Sequence, residues 1–443
     1  MKQALKLQTL QRIVLRDICA SYRSDVFFRY TAHFVFFALS CCFTVLAADR
    51  SAAEDAEASA VFSDTLSPGI KHGNTTILPM AYMGITYDSN LYKTENNPDA
   101  DFKYLARPTI DIFKRMPTIT WTGSFGADIE KYNEHSEDDN VDFFAKSGLV
   151  KNVNARTTFF SNAQIKRDQD PSSVDNVDIP DDLAEPVTSL LMEGSVGVQH
   201  RPTRNTTLTF MTGYSYTDYD DVLDNTGTLV DQDFRDEGIV TSSAQIDIML
   251  SRYLFFKTVG DLDVHEIRGQ DFFLDRDYTE WKVEESTIIS LSPKLLTELI
   301  AGIKKQDFHD DAAADSDLLK KYGARAEWKP TQRITLQLAG IYEDLGVDFE
   351  EGISSGYKTE YEFSVNYKLR RNLSFNQKFM FRDSVIGLEK FDEDLFSYNF
   401  KAQYDINRQW AFSLDYLYED QESERPGNTY DRNEITASIN WRY

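Results

Sequence analysis

Apolar and polar residues alternate along most of this chain, in stretches of ten to fourteen residues. In one such stretch Tyr361, Phe363 and Val365 alternate with Glu362 and Ser364. A period of two is that of a β-strand, because successive side chains point to opposite faces, whereas an amphipathic helix repeats every 3.6 residues. The pattern therefore predicts strands that have one apolar and one polar face.

The connections between these stretches alternate between short and long. Each short connection carries Lys or Arg and no acid, whereas the long ones hold most of the acidic excess. The short turns are predicted near 115–118, 151–156, 201–205, 250–252, 290–294, 328–332, 369–372 and 406–409. The long loops are predicted near 88–103, 132–140, 168–188, 218–236, 266–277, 308–317, 345–355, 383–394 and 420–429.

Eight short turns and nine long loops join eighteen strands, with both chain ends on the short-turn side. Outer-membrane barrels have an even strand number, short periplasmic turns and long external loops. The chain is thus predicted to be all-β: a transmembrane antiparallel up-and-down β-barrel of about eighteen strands, with short periplasmic turns and long acidic extracellular loops. No stretch after the leader is suited to a membrane-spanning helix, and closed barrels are the other structure whose backbone can be satisfied in lipid.

The last predicted strand has the form that is usual for the closing strand of an outer-membrane barrel. Apolar residues occupy every second position up to a terminal aromatic residue, and Ile439, Trp441 and Tyr443 are the predicted assembly signal.

The polar face of the strands carries many charged side chains. Inside a small soluble barrel each would be buried at a cost of several kcal/mol, whereas a water-filled lumen would hydrate it. A soluble propeller or solenoid is the alternative, but its repeat signatures are missing. The predicted lumen-lining residues are Lys146, Lys257, Asp261, Asp263, Glu360, Glu362, Lys368, Lys378, Asp415 and Arg442. These side chains could make the passage selective for the charge of a cargo or for sugar. Alternatively, they could only keep the interior hydrated and fix the register of the strands.

The first 47 residues have the features of a secretory signal peptide. A long basic region precedes an apolar run from Phe34 to Leu46, and Ala47 is the expected cleavage position. All three cysteines lie in this region, so the processed protein would contain none. The expected organisation is a signal peptide at 1–47, a flexible periplasmic segment at 48–74 and the barrel at 75–443.

Acidic residues dominate the composition. The whole chain has a formal net charge of −25, and removal of the leader would leave 41 basic and 70 acidic residues, a net charge of −29. Such a charge excludes nucleic acid as a partner. Acid clusters such as those at 137–139, 218–221 and 392–394 could bind calcium or bridge lipopolysaccharide through divalent ions. None has EF-hand spacing, and such runs are more often simply hydrated loops.

The sequence offers no catalytic constellation, cofactor motif or metal-ligand spacing. Ser195 with His200, or Asp263 with His265, could be read as pairs at the rim of an outer-membrane enzyme, but such pairs occur by chance in any chain of this length. We therefore predict that the protein is not an enzyme and binds no cofactor.

Short motifs in a consistent order resemble the putative β-barrel porin 2 family of outer-membrane proteins. They are Tyr87-Asp88-Ser89-Asn90, Asp99-Ala100-Asp101, Arg107-Pro108, Tyr214-Ser215-Tyr216-Thr217-Asp218-Tyr219 and Thr429-Tyr430-Asp431-Arg432-Asn433. The resemblance spans roughly residues 75 to 443. It implies an outer-membrane barrel, often encoded beside genes for capsule or exopolysaccharide production and proposed to help such polymers reach the cell surface. The family brings no catalytic residues.

The expected function is porin-like passage or export of surface polysaccharide or its fragments through the cell outer membrane. Loops 168–188 and 218–236 are the candidates to constrict the lumen. Expected partners are outer-membrane lipid and lipopolysaccharide, the outer-membrane assembly machinery, and possible polysaccharide and periplasmic export components. The alternative is a structural or adhesive surface protein anchored by the barrel, although loops of ten to twenty residues are too short for a separate binding domain.

Overall fold

The computed structural model describes residues 69–169, 186–223, 227–232, 235–267, 277–308, 318–346, 356–386 and 390–443. The predicted signal peptide at 1–47 and most of the segment predicted to be flexible lie outside these residues. The last residues of that segment are described. Ile70–His72 forms a short strand, and after a turn at Gly73 the chain pairs Thr75–Ile77 with it antiparallel, through three residue pairs.

Eighteen long strands form the fold, each of twelve to fifteen residues. They are β1 Thr75–Asp88, β2 Asp101–Arg115, β3 Ile119–Tyr132, β4 Asn140–Asn152, β5 Thr157–Gln169, β6 Thr188–His200, β7 Thr206–Tyr219, β8 Glu237–Ser251, β9 Leu254–Ile267, β10 Tyr278–Ser292, β11 Leu295–Phe308, β12 Leu319–Thr331, β13 Ile334–Leu345, β14 Gly356–Arg370, β15 Leu373–Ile386, β16 Phe391–Asp405, β17 Trp410–Ser423 and β18 Tyr430–Arg442. A short 3₁₀ turn, Ser136–Asp138, lies between β3 and β4.

Each strand pairs antiparallel with its neighbours in sequence, and β18 pairs with β1. Met83 lies opposite Ile439 and Ala81 opposite Trp441, so two residues of the predicted assembly signal lie in the closing ladder. The sheet therefore has no free edge. The predicted barrel of eighteen strands is confirmed.

The connections at one end of the barrel contain two to five residues each, at the positions predicted for the short turns. At the other end the connection predicted at 383–394 is much shorter than expected. Strands β15 and β16 stay paired up to Ile386 and Phe391, so only 387–390 join them. The acids Asp383 and Asp394 suggested a loop, but backbone pairing does not depend on side-chain polarity and continues beyond the apolar part of the strands.

Side chains alternate strictly between the two faces of the closed sheet. Large apolar side chains such as Met83, Phe143, Val196 and Leu338 are exposed on the outer face. The opposite face carries polar side chains, many of them buried against one another; examples are Thr86, Asp142, Ser286, Ser364, Ser413 and Ser438. An apolar exterior around a polar interior is the pattern of a barrel that spans lipid. Among the described residues, no helix is long and apolar enough to cross a membrane.

Aromatic side chains concentrate on the outer face of β14–β18. Phe379 packs against Tyr398 with ring centroids 4.7 Å apart, and Trp410 lies 6.4 Å from Trp441 beside a short turn. Phe379 and Tyr398 lie near the middle of their strands, whereas the amphipathic rings of Trp410 and Trp441 at one end of the barrel are suited to the interface between lipid and water.

An ion-pair cluster fastens the seam between the first and last strands. The Arg432 guanidinium lies on the inner face of β18 and contacts three carboxylates, those of Asp88, Glu419 and Glu434, at 3.4 Å or less. The Asp88 side chain is only 3 % exposed and that of Arg432 16 %. Below this cluster, the Thr86 and Thr436 hydroxyls are 2.8 Å apart. Polar side chains therefore reinforce the backbone ladder that closes the barrel.

Replacing Arg432 with Met should destabilise the folded barrel by about 3 kcal/mol, because three carboxylates would remain buried without their cation. Urea unfolding in detergent micelles, followed by tryptophan fluorescence, measures this change. The matched control is Arg325→Met, whose guanidinium is half exposed and lies 3.6 Å from Glu298; an exposed pair of this kind contributes at most about 1 kcal/mol. Equal losses in the two variants would contradict the role of the seam cluster.

Glu285 departs from the apolar exterior. It lies at the centre of β10 on the outer face, opposite Thr258 and Ala301, and accepts a hydrogen bond from the Thr258 hydroxyl. Its neighbour Glu284 lies on the inner face and pairs with Lys321 at 2.9 Å. A carboxylate on the lipid-facing side near the middle of a barrel is unfavourable.

We expect Glu285→Leu to stabilise the barrel by roughly 1–2 kcal/mol, since it removes that carboxylate from the outer face. Glu284→Leu should destabilise it by about 1 kcal/mol, because Lys321 loses its partner. The urea midpoint in lipid vesicles measures both. Because the two residues are adjacent but face opposite ways, a reversal of the two signs would show that the faces have been assigned wrongly.

Candidate functional site: the barrel lumen

The inner wall of the barrel is the candidate site. All ten residues predicted to line the lumen lie at inner-face positions of their strands: Lys146, Lys257, Asp261, Asp263, Glu360, Glu362, Lys368, Lys378, Asp415 and Arg442. They are spread around the barrel rather than gathered at one point, and their effect on selectivity remains a prediction.

Along β9–β17 the inner wall is a lattice of ion pairs, which we call the charged arc. Oppositely charged side chains on neighbouring strands neutralise one another. The pairs are Asp261–Lys282 at 3.7 Å, Glu280–Lys304 at 3.4 Å, Glu284–Lys321 at 2.9 Å, Glu298–Arg325 at 3.6 Å, Glu343–Lys358 at 3.5 Å, Glu362–Lys378 at 3.1 Å and Lys401–Asp415 at 3.1 Å. Many of the charged side chains on this wall are therefore paired with other side chains of the barrel.

One of these pairs spans two strand spacings. Glu284 on β10 and Lys321 on β12 are separated by β11, where the intervening inner-face residue is Gly302. A Cβ at Gly302 would lie 3.6 Å from the Glu284 side chain and 3.2 Å from the Val283 carbonyl oxygen. The glycine leaves the space in which the two long side chains meet.

Along β2–β8 the inner wall has a different character. Two adjacent rows of residues, paired directly from strand to strand, line a recess of about 710 Å³ near mid-height. We call this recess the polar groove. Its mixed row is Asp111, Ser124, Lys146, Gln164, Glu193 and Ser215, and its uncharged row is Phe113, Thr122, Gly148, Asn162, Ser195, Gly213 and Thr241.

Several polar groups of the groove have no internal partner. In the described part of the chain, Asn162, Gln164 and Glu193 make no side-chain hydrogen bond or ion pair, whereas Asp111 accepts a hydrogen bond from the Ser124 hydroxyl at 2.7 Å. Lys146 lies over the ring of Phe144 at 5.5 Å. The groove thus presents hydrogen-bonding groups to whatever fills the lumen.

Of the groove residues, only Lys146 is among those predicted from the sequence to line the lumen. That prediction rests on charge, whereas the groove is made mainly of Ser, Thr, Asn, Gln and Gly. Strand alternation places these residues on the inner face, but the row that they form depends on the register of seven strands.

The described part of loop 218–236 packs at the rim of β6–β8. Val187 and Val222 are buried together, with Tyr219 and Val230 packed against them. Tyr219 lies on the inner face opposite Ser189, and its ring is 4.0 Å from the Arg235 guanidinium. Of this loop, 224–226 and 233–234 lie outside the described residues, as do 170–185 of the other predicted constriction loop. The apolar cluster attaches the described part of loop 218–236 to the lumen side of the rim.

Two further loops are joined by a histidine. His135 lies between Asp101, 3.1 Å from its Nδ1, and Asp99, 3.1 Å from its Nε2. The ring of Tyr92 meets that of His135 edge to face at 5.4 Å. Burial opposes protonation of His135, but the hydrogen bonds to Asp101 and Asp99 outweigh it, so the pKa of His135 is raised. His135 therefore joins loop 89–100 to loop 133–139, and its charged form strengthens this contact.

The acid clusters of these loops are partly satisfied by protein donors. Asp138 accepts from the Tyr92 hydroxyl at 2.6 Å, and Asp139 accepts from the Lys131 ammonium at 2.6 Å, which lowers the pKa of Asp139. Within the described ranges, no group of three or more His, Cys, Asp or Glu side chains is arranged to hold a metal ion.

The two pairs considered for catalysis are not assembled. Ser195 and His200 lie on opposite faces of β6, and the His200 Nδ1 contacts the Thr157 hydroxyl at 3.0 Å. His265 shares the inner face of β9 with Asp263, but its Nδ1 contacts Glu237 at 2.7 Å and its ring stacks on Tyr278.

The whole barrel is similar in sequence to a known protein family. The sequence profile of the family described as putative beta-barrel porin 2 matches residues 67–443, which is most of the chain. The chain belongs to the putative beta-barrel porin 2 family. This porin has the fold of an outer-membrane channel, a closed barrel of eighteen strands, and its family is one of channels rather than enzymes.

Among solved structures, this porin is similar to Acinetobacter baumannii OccAB3 at 10 % identity, with 84 % of this chain and 100 % of that chain covered and a TM-score of 0.48. It is also similar to Pseudomonas aeruginosa OccK8 (OprE) at 11 % identity, with 84 % and 98 % covered and a TM-score of 0.49. For Pseudomonas aeruginosa OpdQ the values are 10 % identity, 83 % and 97 % covered, and 0.46. No curated protein sequence matches this porin.

The contact between the two loops should weaken as pH rises. The pKa of His135 is raised above its unfolded value, so its stabilising contribution is complete below the unfolded pKa and is lost as pH rises through the folded pKa. We expect hydrogen exchange of amides in 89–100 and 133–139, corrected for intrinsic rates, to become severalfold faster between pH 6 and pH 8.5. His135→Gln should abolish this pH dependence, and the control His200→Gln, at the short-turn end, should retain it. A pH dependence that survives in His135→Gln would contradict the assignment.

Proposed function

We propose that this porin-like channel carries surface polysaccharide or its fragments across the outer membrane. The observation that carries the proposal is the inner wall, which is mainly polar and includes a long groove where several hydrogen-bonding groups have no internal partner. Barrels of sixteen to eighteen strands have interiors wide enough for an aqueous channel. A hydrated, flexible polymer is a cargo that fits such a wall.

The division of the wall supports this proposal. Cross-strand pairs neutralise much of the charged arc, so a passing chain meets few strong isolated charges there. The groups of the polar groove can hydrogen bond either water or a hydroxylated chain, with similar energy. A polymer bound there can therefore be replaced by water and advance. Weak, repeated contacts favour transit over capture.

Export would also require partners that this porin does not supply itself. Periplasmic export components would deliver the polymer to the short-turn end, and lipopolysaccharide would surround the long-loop end. An anchor for acidic surface loops is the alternative role for the same barrel, and it requires no conduction at all.

Single-channel recording separates the two roles. The refolded porin in a planar bilayer should give stable conductance steps, which soluble polysaccharide fragments, from hydrolysed dextran or alginate, should interrupt. A folded barrel that remains silent would overturn the channel and leave the anchor.

Removal of loop 218–236 should raise the conductance. In the variant, residues 220–236 are replaced with a two-residue Asn-Gly turn that joins β7 to β8 directly. The control shortens 424–429 between β17 and β18, a connection without the apolar cluster of Val187 and Val222. We expect larger steps in the first variant only. An unchanged conductance after the first deletion would show that loop 218–236 does not constrict the lumen.

A further inference from the structure

We propose that the polar groove is a docking track for an extended, uncharged, hydroxyl-rich chain, such as a run of neutral hexose units. This inference rests on the proposed function and gives it a chemical class of cargo and a place of contact. It concerns the arc β2–β8, whereas the residues predicted from sequence lie mostly on the charged arc.

The groove is linear and crosses the strands. Its uncharged row runs from Phe113 on β2 to Thr241 on β8, with one residue from each strand directly opposite the next. Neighbouring strands are about 4.8 Å apart, so six steps span about 29 Å. A track of this length accepts several units of an extended chain rather than a single small molecule.

The row is also recessed. At Gly148 a Cβ would approach the Thr122 hydroxyl oxygen to 2.7 Å and the Asn162 amide oxygen to 3.2 Å. At Gly213 it would approach the Gly194 carbonyl oxygen to 3.0 Å. Glycine at both positions lowers the floor of the groove between polar side chains, and this leaves room for the thickness of a chain.

The chemistry of the row matches hydroxyl groups and mismatches charge. Each hydroxyl of a cargo both donates and accepts, and the amides of Asn162 and Gln164 do the same in the plane of their side chains. Phe113 offers an apolar surface at one end of the row. The row itself carries no charge that could compensate the desolvation of a charged cargo. The adjacent row carries Asp111, Lys146 and Glu193, and Asp263 lies opposite Thr241, so the charges beside the row are mainly negative and disfavour an anionic cargo.

The charged arc does not offer the same contacts. Most of its carboxylates already pair with lysine or arginine across the strands, as in Glu362 with Lys378. Two of its amides are also paired with each other, since the Asn376 side-chain amide donates to that of Asn366. A hydroxylated cargo would have to replace these partners, whereas Asn162 and Gln164 need no such exchange.

The test uses the full-length porin with maltohexaose, a linear uncharged oligosaccharide, as the probe. In single-channel recordings we expect transient current blocks, and the double variant Asn162→Ala with Gln164→Ala should shorten the dwell time about tenfold through loss of two groups that hydrogen bond the cargo. The matched control, Asn366→Ala with Asn376→Ala, removes two amides that satisfy each other on the charged arc. It should leave the dwell time unchanged.

Two other probes examine the chemical class. Polyethylene glycol of matched size lacks the hydroxyl groups along its length, and oligogalacturonate is hydroxylated but anionic. We expect both to dwell for shorter times than maltohexaose in the unaltered porin. Equal dwell times for the three probes, or equal effects of the two double variants, would overturn the docking track while leaving the channel intact.

Binding can also be measured without an open pore. Calorimetric titration of maltohexaose into the folded barrel in detergent should give heat that the Asn162→Ala, Gln164→Ala variant loses and the control variant retains. Binding without conduction would support the track and overturn the proposed transport. Conduction without binding would overturn the track and support the proposed transport.

Discussion

The closure of the backbone ladder is the constraint on which the rest of this protein depends. A sheet that faces lipid on its outer side cannot leave backbone donors and acceptors unpaired at an edge, so the first and last strands must meet. The seam between β1 and β18 therefore carries more than backbone bonds: Arg432 and its three carboxylates lie across it, with the Thr86 and Thr436 hydroxyls beneath. Once the ladder is closed, alternation alone assigns every side chain to lipid or to lumen.

That assignment produces an interior whose two arcs differ in how their polar groups are satisfied. On the charged arc, carboxylates and cations satisfy one another across strands, which fixes register and leaves much of the wall neutral. Along β2–β8, hydroxyl and amide groups remain open to the lumen. The difference lies in which partner each polar group has rather than in overall polarity, and it is the basis for assigning different roles to the two arcs.

Alternation and turn chemistry were sufficient to predict the strand number and the short turns, and the ten charged residues predicted to line the lumen occupy inner-face positions. Lys257, Glu362 and Asp415 could be placed on the inner face because neighbouring apolar residues placed the other face in lipid. The groove could not be predicted in this way. Gly148, Asn162 and Gly213 are unremarkable in their own strands, and they form a row only through the register of β2–β8, which is a property of long-range pairing. The prediction of a loop at 383–394 was wrong for a related reason. Acidic side chains indicate exposure to water, and a paired strand can be exposed to water as well.

Because the groove takes one inner-face residue from each strand, its steps are separated along the chain by a hairpin's length but adjacent in space. A single substitution therefore alters one step of the track and leaves the residues before and after it on the outer face untouched. Each strand thus alternates residues that face lipid with residues that line the lumen, and one set can be substituted without changing the other. Such a wall can adapt to a different polymer one unit at a time while the barrel keeps the same exterior.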